Sequence, residues 1–208
     1  VKSMLKASIG LNNLRIMLPM ITSVGEVDEA LHLIYRAHAE VEEAGHKVEM
    51  PQVGVMIEVP ASVYQISDLG QRVDFLSVGS NDLTQYLLAV DRNNPRVADL
   101  YNSFHPAVLT ALYKIAQDAK AINKPVSICG ELAGNPAGAV ILMAMGYDML
   151  SMNSSNLPKV KSVIRGVTLV WAQELLAEII ESAKVEALEE LMSEAEYWEM
   201  KAEVYNGI

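Results

Sequence analysis

The sequence predicts an α/β fold of the (β/α)8, TIM-barrel type, with about the last five βα units present and a helical tail behind them. Three observations predict it. Five short apolar segments alternate with helical patterns along the 208 residues, and strand, helix, strand, helix in register means parallel strands with right-handed crossovers. None of the five alternates cleanly between apolar and polar residues, which suits strands covered on both faces. Polar residues cluster just after the strand ends, at Glu58, at Ser80, Asn81 and Asp82, and at Cys129, Gly130 and Glu131. Functional groups at the C-terminal ends of several strands are the barrel arrangement. No glycine-rich fingerprint follows a strand, so an open dinucleotide-binding sheet is disfavoured. Five units do not close an eight-stranded barrel of about 250 residues. The expectation is that the first three units are missing and that the strands near Arg15 and Met149 have open edges unless another chain covers them.

The strand segments, rich in β-branched and bulky apolar residues, are Leu14 to Ile21, Val53 to Val59, Asp74 to Val78, Val126 to Cys129 and Met149 to Met152. Between the first two, Val27, Leu31, Ile34, Ala37 and Val41 recur at helical spacing and predict a helix over Val24 to Ala44. Ser80, Asn81 and Asp82 are each able to cap a helix that follows the third strand. Pro106 suits a first helical turn, and Val108, Leu112, Ile115 and Ala119 carry that helix to Ala121. Pro136 to Met145 is apolar all round and reads as a buried helix. From Val163 onward the pattern is helical to the end. A soft boundary divides a barrel part, 1–182, from an acidic helical tail, 183–208.

Composition narrows the function classes. Apolar residues make up 51% of the chain, which excludes a disordered chain. The longest apolar run, Ala137 to Tyr147, is far shorter than the roughly 20 residues of a membrane helix. A single cysteine excludes an internal disulfide and a cysteine-rich zinc site, and points to a reducing, cytoplasmic compartment. The N-terminus shows no signal-peptide pattern and no initiator methionine, so a processed or truncated piece is expected. A net charge of −10 argues against nucleic acid or an anionic membrane as partner. Residues 174–208 hold ten Glu against Lys184 and Lys201, which leaves the body nearly neutral.

Glu58 ends the apolar run Gly54-Val-Met-Ile-Glu-Val-Pro60. A salt-bridged or solvated strand end and an oxygen ligand for Mg2+ both account for it. In Ser77-Val-Gly-Ser-Asn-Asp-Leu-Thr-Gln-Tyr86, one cap suffices for a helix, yet three polar residues stand in a row. Phosphate at the helix start, with Asn81 donating to it, is the alternative, and Asp82 would join Glu58 on the metal. Arg92, on the turn Val90-Asp-Arg-Asn-Asn-Pro95, is either a surface charge paired with Asp91 or a fork for phosphate oxygens. Cys129 in Ser127-Ile-Cys-Gly-Glu-Leu-Ala133 is either a small buried hydrophobe or, mostly protonated near neutrality, a general acid. Glu131 is placed to orient it or to serve around the metal. Among the histidines, His105 is suited to cap the helix that Pro106 opens.

Together these motifs resemble the phosphoenolpyruvate (PEP)-binding barrel of enzyme I, the PEP–protein phosphotransferase family of the bacterial phosphotransferase system. Arg15-Ile-Met-Leu-Pro-Met-Ile21 and Leu150-Ser-Met-Asn153 resemble its later strands. The match runs from about Met4 to about Val170, and its wording is nearest the nitrogen-related branch. The resemblance implies Glu58 and Asp82 as Mg2+ ligands, Asn81, Asp82 and Arg92 at the substrate, and Cys129 as the acid that protonates the enolate carbon. It also implies phosphoryl transfer to a histidine of the enzyme and on to a small phosphocarrier protein, with the barrel forming a homodimer. The family's acceptor histidine motif is not found in the sequence, nor are the earlier strands with their substrate-binding arginines. The expectation is therefore that this chain does not transfer phosphate alone. Asn135 stands where the family has Asp. Two other readings are a non-enzymatic, dimeric PEP-binding regulatory module and an enzyme of the pyruvate phosphate dikinase or PEP synthase type.

Overall fold

The computed structural model of the chain describes residues 1–182; the predicted tail, 183–208, lies outside them. In chain order the elements are α1 (Lys2–Ala7), β1 (Arg15–Leu18), α2 (Val24–Glu43), β2 (Gln52–Ile57), α3 (Pro60–Val63), α4 (Ile66–Gly70), β3 (Phe75–Gly79) and α5 (Ser80–Leu88). A 3₁₀ turn at Ala98–Leu100 leads to α6 (Pro106–Ala121), β4 (Val126–Cys129), α7 (Glu131–Gly134), α8 (Pro136–Met145), β5 (Met149–Ser151), α9 (Leu157–Gly166) and α10 (Leu169–Ser182). The five strands form one sheet in the order β1-β2-β3-β4-β5, every pair parallel. Sequential order with no reversal is how a barrel wall is wound, and among the described residues β1 and β5 are its open edges.

The helix starts follow from local chemistry. Ser23 and Glu26 form a capping box at α2, whose predicted core stripe, Val27 through Val41, is buried. The His105 ring accepts the Ala107 N–H (3.1 Å), so it caps α6 as expected. Asn135 Oδ1 accepts the Gly138 N–H (3.0 Å) and caps α8. The final helical region departs from expectation. It begins earlier, at Leu157, and breaks at Val167 and Thr168 before α10.

A second departure concerns the sheet faces. Ile16, Val53, Val55, Ile57, Leu76, Val78, Val126 and Ile128 form one face and are buried in the core with α2, α6, α8 and α10. Register puts Met17, Gly54 and Phe75 on the opposite face, as it does Met56, Ser77, Ser127 and Met149, and Gly79, Cys129 and Ser151. This second face is only partly covered: Met17 is 39% and Met149 57% exposed. The strands do alternate in burial, but methionine and glycine on the open face hide the alternation from a polarity count. On that face the Arg15 guanidinium lies over the Phe75 ring, 5.7 Å from its centre.

Gly138 shows how tightly the helical layer closes. A Cβ there would overlap the Leu132 backbone carbonyl, which cannot swing aside as a side chain would. We expect Gly138→Ala to cost about 1–3 kcal/mol, the usual penalty for overpacking. It would be read as a lower urea midpoint at unchanged slope; an unchanged midpoint would show that α7 and α8 are not held against each other.

Candidate functional site

The tips of β2, β3 and β4 converge on one rim, and each predicted site residue lies there. Glu58 follows β2 and is 4% exposed. Its Oε1 accepts the Met20 backbone N–H (2.8 Å), and among the described residues that is its one hydrogen bond. Met20 has φ +55°, a left-handed conformation unfavourable for a residue with a side chain, so the turn after β1 is bent to reach this carboxylate. The other oxygen, Oε2, lies over Gly79. A Cβ at Gly79 would sit 2.5 Å from Oε2 and 3.0 Å from the Glu58 Cβ. Glycine at the end of β3 is thus what admits the acid from β2. In register, Gly79 pairs with Cys129, so the acid, the glycine and the thiol stand side by side across three strands.

The three polar residues at the start of α5 do not cap it. Gly79 holds the N-cap position, and no side chain caps the helix. Ser80 donates its hydroxyl to the Cys129 carbonyl (2.6 Å). Asn81 Oδ1 accepts the Glu131 backbone N–H (3.0 Å), while the Tyr101 hydroxyl donates to the Asn81 carbonyl (3.3 Å). Asp82 Oδ1 lies 3.5 Å from Arg92 Nη2. The capping account is overturned, because each side chain reaches across to another element. Arg92 pairs with Asp82, whereas the Asp91 carboxylate accepts the Asn93 N–H (2.9 Å). The Arg92 backbone N–H donates to Gln85 Oε1 (3.3 Å), which pins the turn to α5. Glu131 contributes its backbone here, and its side chain is exposed.

The Cys129 thiol donates to the Val78 carbonyl (3.5 Å). Burial pushes its pKa above the ordinary thiol value, and the negative charges of Glu58 and Asp82 push it further. The neutral thiol is therefore its form at neutral pH. Because the folded state holds this proton more tightly than the unfolded chain does, the associated stability is complete below the ordinary thiol pKa. It is lost as pH rises above that value. We expect the alkylation of Cys129 by iodoacetamide to switch on at higher pH than that of a free cysteine, and Glu58→Gln or Asp82→Asn to move the midpoint down. A midpoint equal to that of free cysteine would remove both acids from the thiol's surroundings.

The donors at the rim are hard oxygens carrying two negative charges. No group of three or more His, Cys, Asp or Glu able to hold a metal occurs among the described residues. A fully protein-built cage is therefore not the arrangement here. Two carboxylates, one of them buried with an oxygen to spare, match Mg2+, which takes one or two carboxylates and completes its octahedron with water and substrate oxygens. The residues fit that ion. Sequence reasoning named Glu58, Asn81, Asp82, Arg92 and Cys129 but missed the Met20 N–H, Gln85 and Tyr101. A backbone donor leaves no residue-type signal, and the other two act from a helix interior and from the residue after a 3₁₀ turn.

Residues 1–169 match the profile of the family described as "PEP-utilising enzyme, PEP-binding domain". A Salmonella typhimurium protein named "Phosphoenolpyruvate-dependent phosphotransferase system" is 49% identical over 183 residues, which cover 88% of this chain and 24% of that protein. A phosphoenolpyruvate-protein phosphotransferase of Haemophilus influenzae is 37% identical over 195 residues, 93% of this chain and 34% of that protein. The chain thus spans about a quarter to a third of these relatives' length. Among solved structures, a citrate lyase of Burkholderia xenovorans superposes with a TM-score of 0.52 at 21% identity, covering 81% of this chain and 54% of that one. An HpcH/HpaI aldolase/citrate lyase family protein of Burkholderia cenocepacia gives 0.51 at 18% identity, covering 80% and 69%. At such identities these two share the fold alone.

Proposed function

We propose that this chain, which belongs to the family of PEP-binding domains of PEP-utilising enzymes, is the substrate-binding part of a PEP–protein phosphotransferase. The reaction moves the phosphoryl group of PEP to a histidine of the enzyme and on to a small phosphocarrier protein, and it releases pyruvate. The observation that carries this reading is the convergence of Glu58, Asp82 and Cys129 on one strand rim. Arg92 offers a planar fork to two phosphate oxygens. The Asn81 amide, with Oδ1 committed to the Glu131 N–H, presents its Nδ2 donors to a third. Glu58 and Asp82 would hold Mg2+, which when bound offsets charge on the transferring phosphoryl group.

Loss of the phosphoryl group leaves an enolate, and its carbon needs a proton from a donor that is neutral at working pH. Cys129 is that donor. Its S–H bond breaks as the C–H bond forms, and the thiolate regains a proton from solvent. The wording of the motifs supports the nitrogen-related branch. The open edges at β1 and β5, with Met17 and Met149 exposed, support an assembly in which further polypeptide covers them. We read that assembly as a cytoplasmic homodimer of a longer enzyme. Alone, the chain binds PEP without transferring its phosphate.

Titrating the chain with PEP and Mg2+ tests this reading. The amide resonances of Asn81, Asp82, Arg92 and Gly130 are expected to move together while those on the outer faces of α2 and α6 stay in place. Signals at the rim that do not respond to saturating PEP would contradict it, and so would a steady pyruvate yield from this chain with carrier protein alone.

A further inference from the structure

We propose that Ser80 is a positioning residue for the proton donor: by holding the Cys129–Gly130 peptide against the start of α5, its hydroxyl sets the direction in which the Cys129 thiol points. The inference rests on the reading of Cys129 as the proton donor and adds to it the group that aims the thiol. Ser80 is 1% exposed, and a hydroxyl so placed is costly unless bonded. Its partner is the Cys129 carbonyl at 2.6 Å. On the far side of the same peptide, Gly130 has φ +113°, a conformation L side chains rarely adopt. A Cβ there would overlap the Ser80 Oγ and come within 2.7 Å of Asn81 Oδ1. One residue further, the Glu131 N–H is held by Asn81.

Ser80 and Asn81 therefore clasp three consecutive residues of the β4 tip, one bond before Gly130 and one after it. With the Cys129 backbone fixed in this way, its thiol is left facing the Val78 carbonyl beside Gly79, the residue over which Glu58 Oε2 lies. Without the hydroxyl, the Cys129 carbonyl loses its side-chain partner, the tip beyond the sheet is held only through the Asn81 bond to the Glu131 N–H, and the thiol's direction is less sharply set. Partners of this kind orient a working group without touching substrate, and a misplacement of about 1 Å at a reacting centre can cost about a hundredfold in rate.

The single cysteine makes the test direct, since the S–H stretching band of the full chain reports one thiol. In Ser80→Ala the band is expected to shift and broaden toward that of a free thiol, and alkylation at fixed pH to become several-fold faster. Ser80→Thr, which keeps the hydroxyl, restores both readouts. Ser8→Ala serves as control, because Ser8 is also buried and donates to a backbone carbonyl, that of Leu5 (2.8 Å), at the end of α1; it should leave both readouts unchanged. An unshifted band and alkylation rate in Ser80→Ala would overturn the proposal, as would an equal change in Ser8→Ala. Should Ser80→Ala not fold, Ser80→Thr against Ser80→Val isolates the hydroxyl at nearly constant shape: a difference in band and rate between the two is expected, and their agreement would overturn the proposal. These readouts involve neither PEP nor metal, so failure of the PEP titration and failure of this inference are distinguishable.

Discussion

On the proposed function, replacing Cys129 by alanine is expected to lower pyruvate formation by the full-length protein about 10²–10⁴-fold, the range a positioned general acid contributes, while PEP still binds. The separation follows from where the groups sit. In the proposed reading phosphate is met by Arg92 and Asn81, on the α5 side of the rim, whereas the thiol stands at the β4 tip against the Val78 carbonyl. Removing sulfur leaves the clasp at Cys129 untouched, because Ser80 bonds the backbone carbonyl and not the side chain. Kinetics would show this as a fall in kcat with KM nearly unchanged. A loss confined to KM would mean that Cys129 lines the pocket and does no proton transfer.

Glu58→Gln is expected to cost about 10²–10³-fold in kcat/KM, the equivalent of the several kcal/mol that a bound cation supplies to a charged transition state. Glutamine has almost the same shape and its carbonyl can accept the Met20 N–H, so the turn after β1 and the contact with Gly79 are preserved. What disappears is the negative charge. The variant should therefore fold with wild-type stability and lose its response to Mg2+. Gly79→Ala provides the steric counterpart: its Cβ would displace the Glu58 carboxylate and should abolish the same response from the neighbouring strand. If Glu58→Gln kept both its activity and its Mg2+ dependence, the acid would be a satisfied strand end, as the simplest reading of its sequence context allowed.

Much of the barrel wall was legible in the residues because its signals are local. The β4, α6 and α8 bounds coincide with those expected, since Pro106 and Pro136 start their helices through the backbone geometry of proline itself. Coverage of the sheet was misjudged because Met17, Met56 and Met149 count as apolar while facing the open side. The break between α9 and α10 was missed because Gly166 and Thr168 interrupt a pattern that stays apolar on either side. Within the site, residue types at strand ends identified the charged groups, and the family resemblance supplied their roles. The clasp was invisible to both. Ser80, Asn81 and Asp82 satisfy every rule for a helix cap, and only tertiary structure sends them to β4 and to Arg92 instead.

The central claim is that two acids and one thiol share a pocket built to hold a cation. The most direct test is the pH midpoint of Cys129 alkylation in this chain, measured with and without Mg2+. Binding of Mg2+ between Glu58 and Asp82 would offset the charges that raise the thiol's pKa. The midpoint is expected to fall on adding Mg2+, and to stay in place in Glu58→Gln. A midpoint indifferent to Mg2+ in the unmodified chain would contradict the claim.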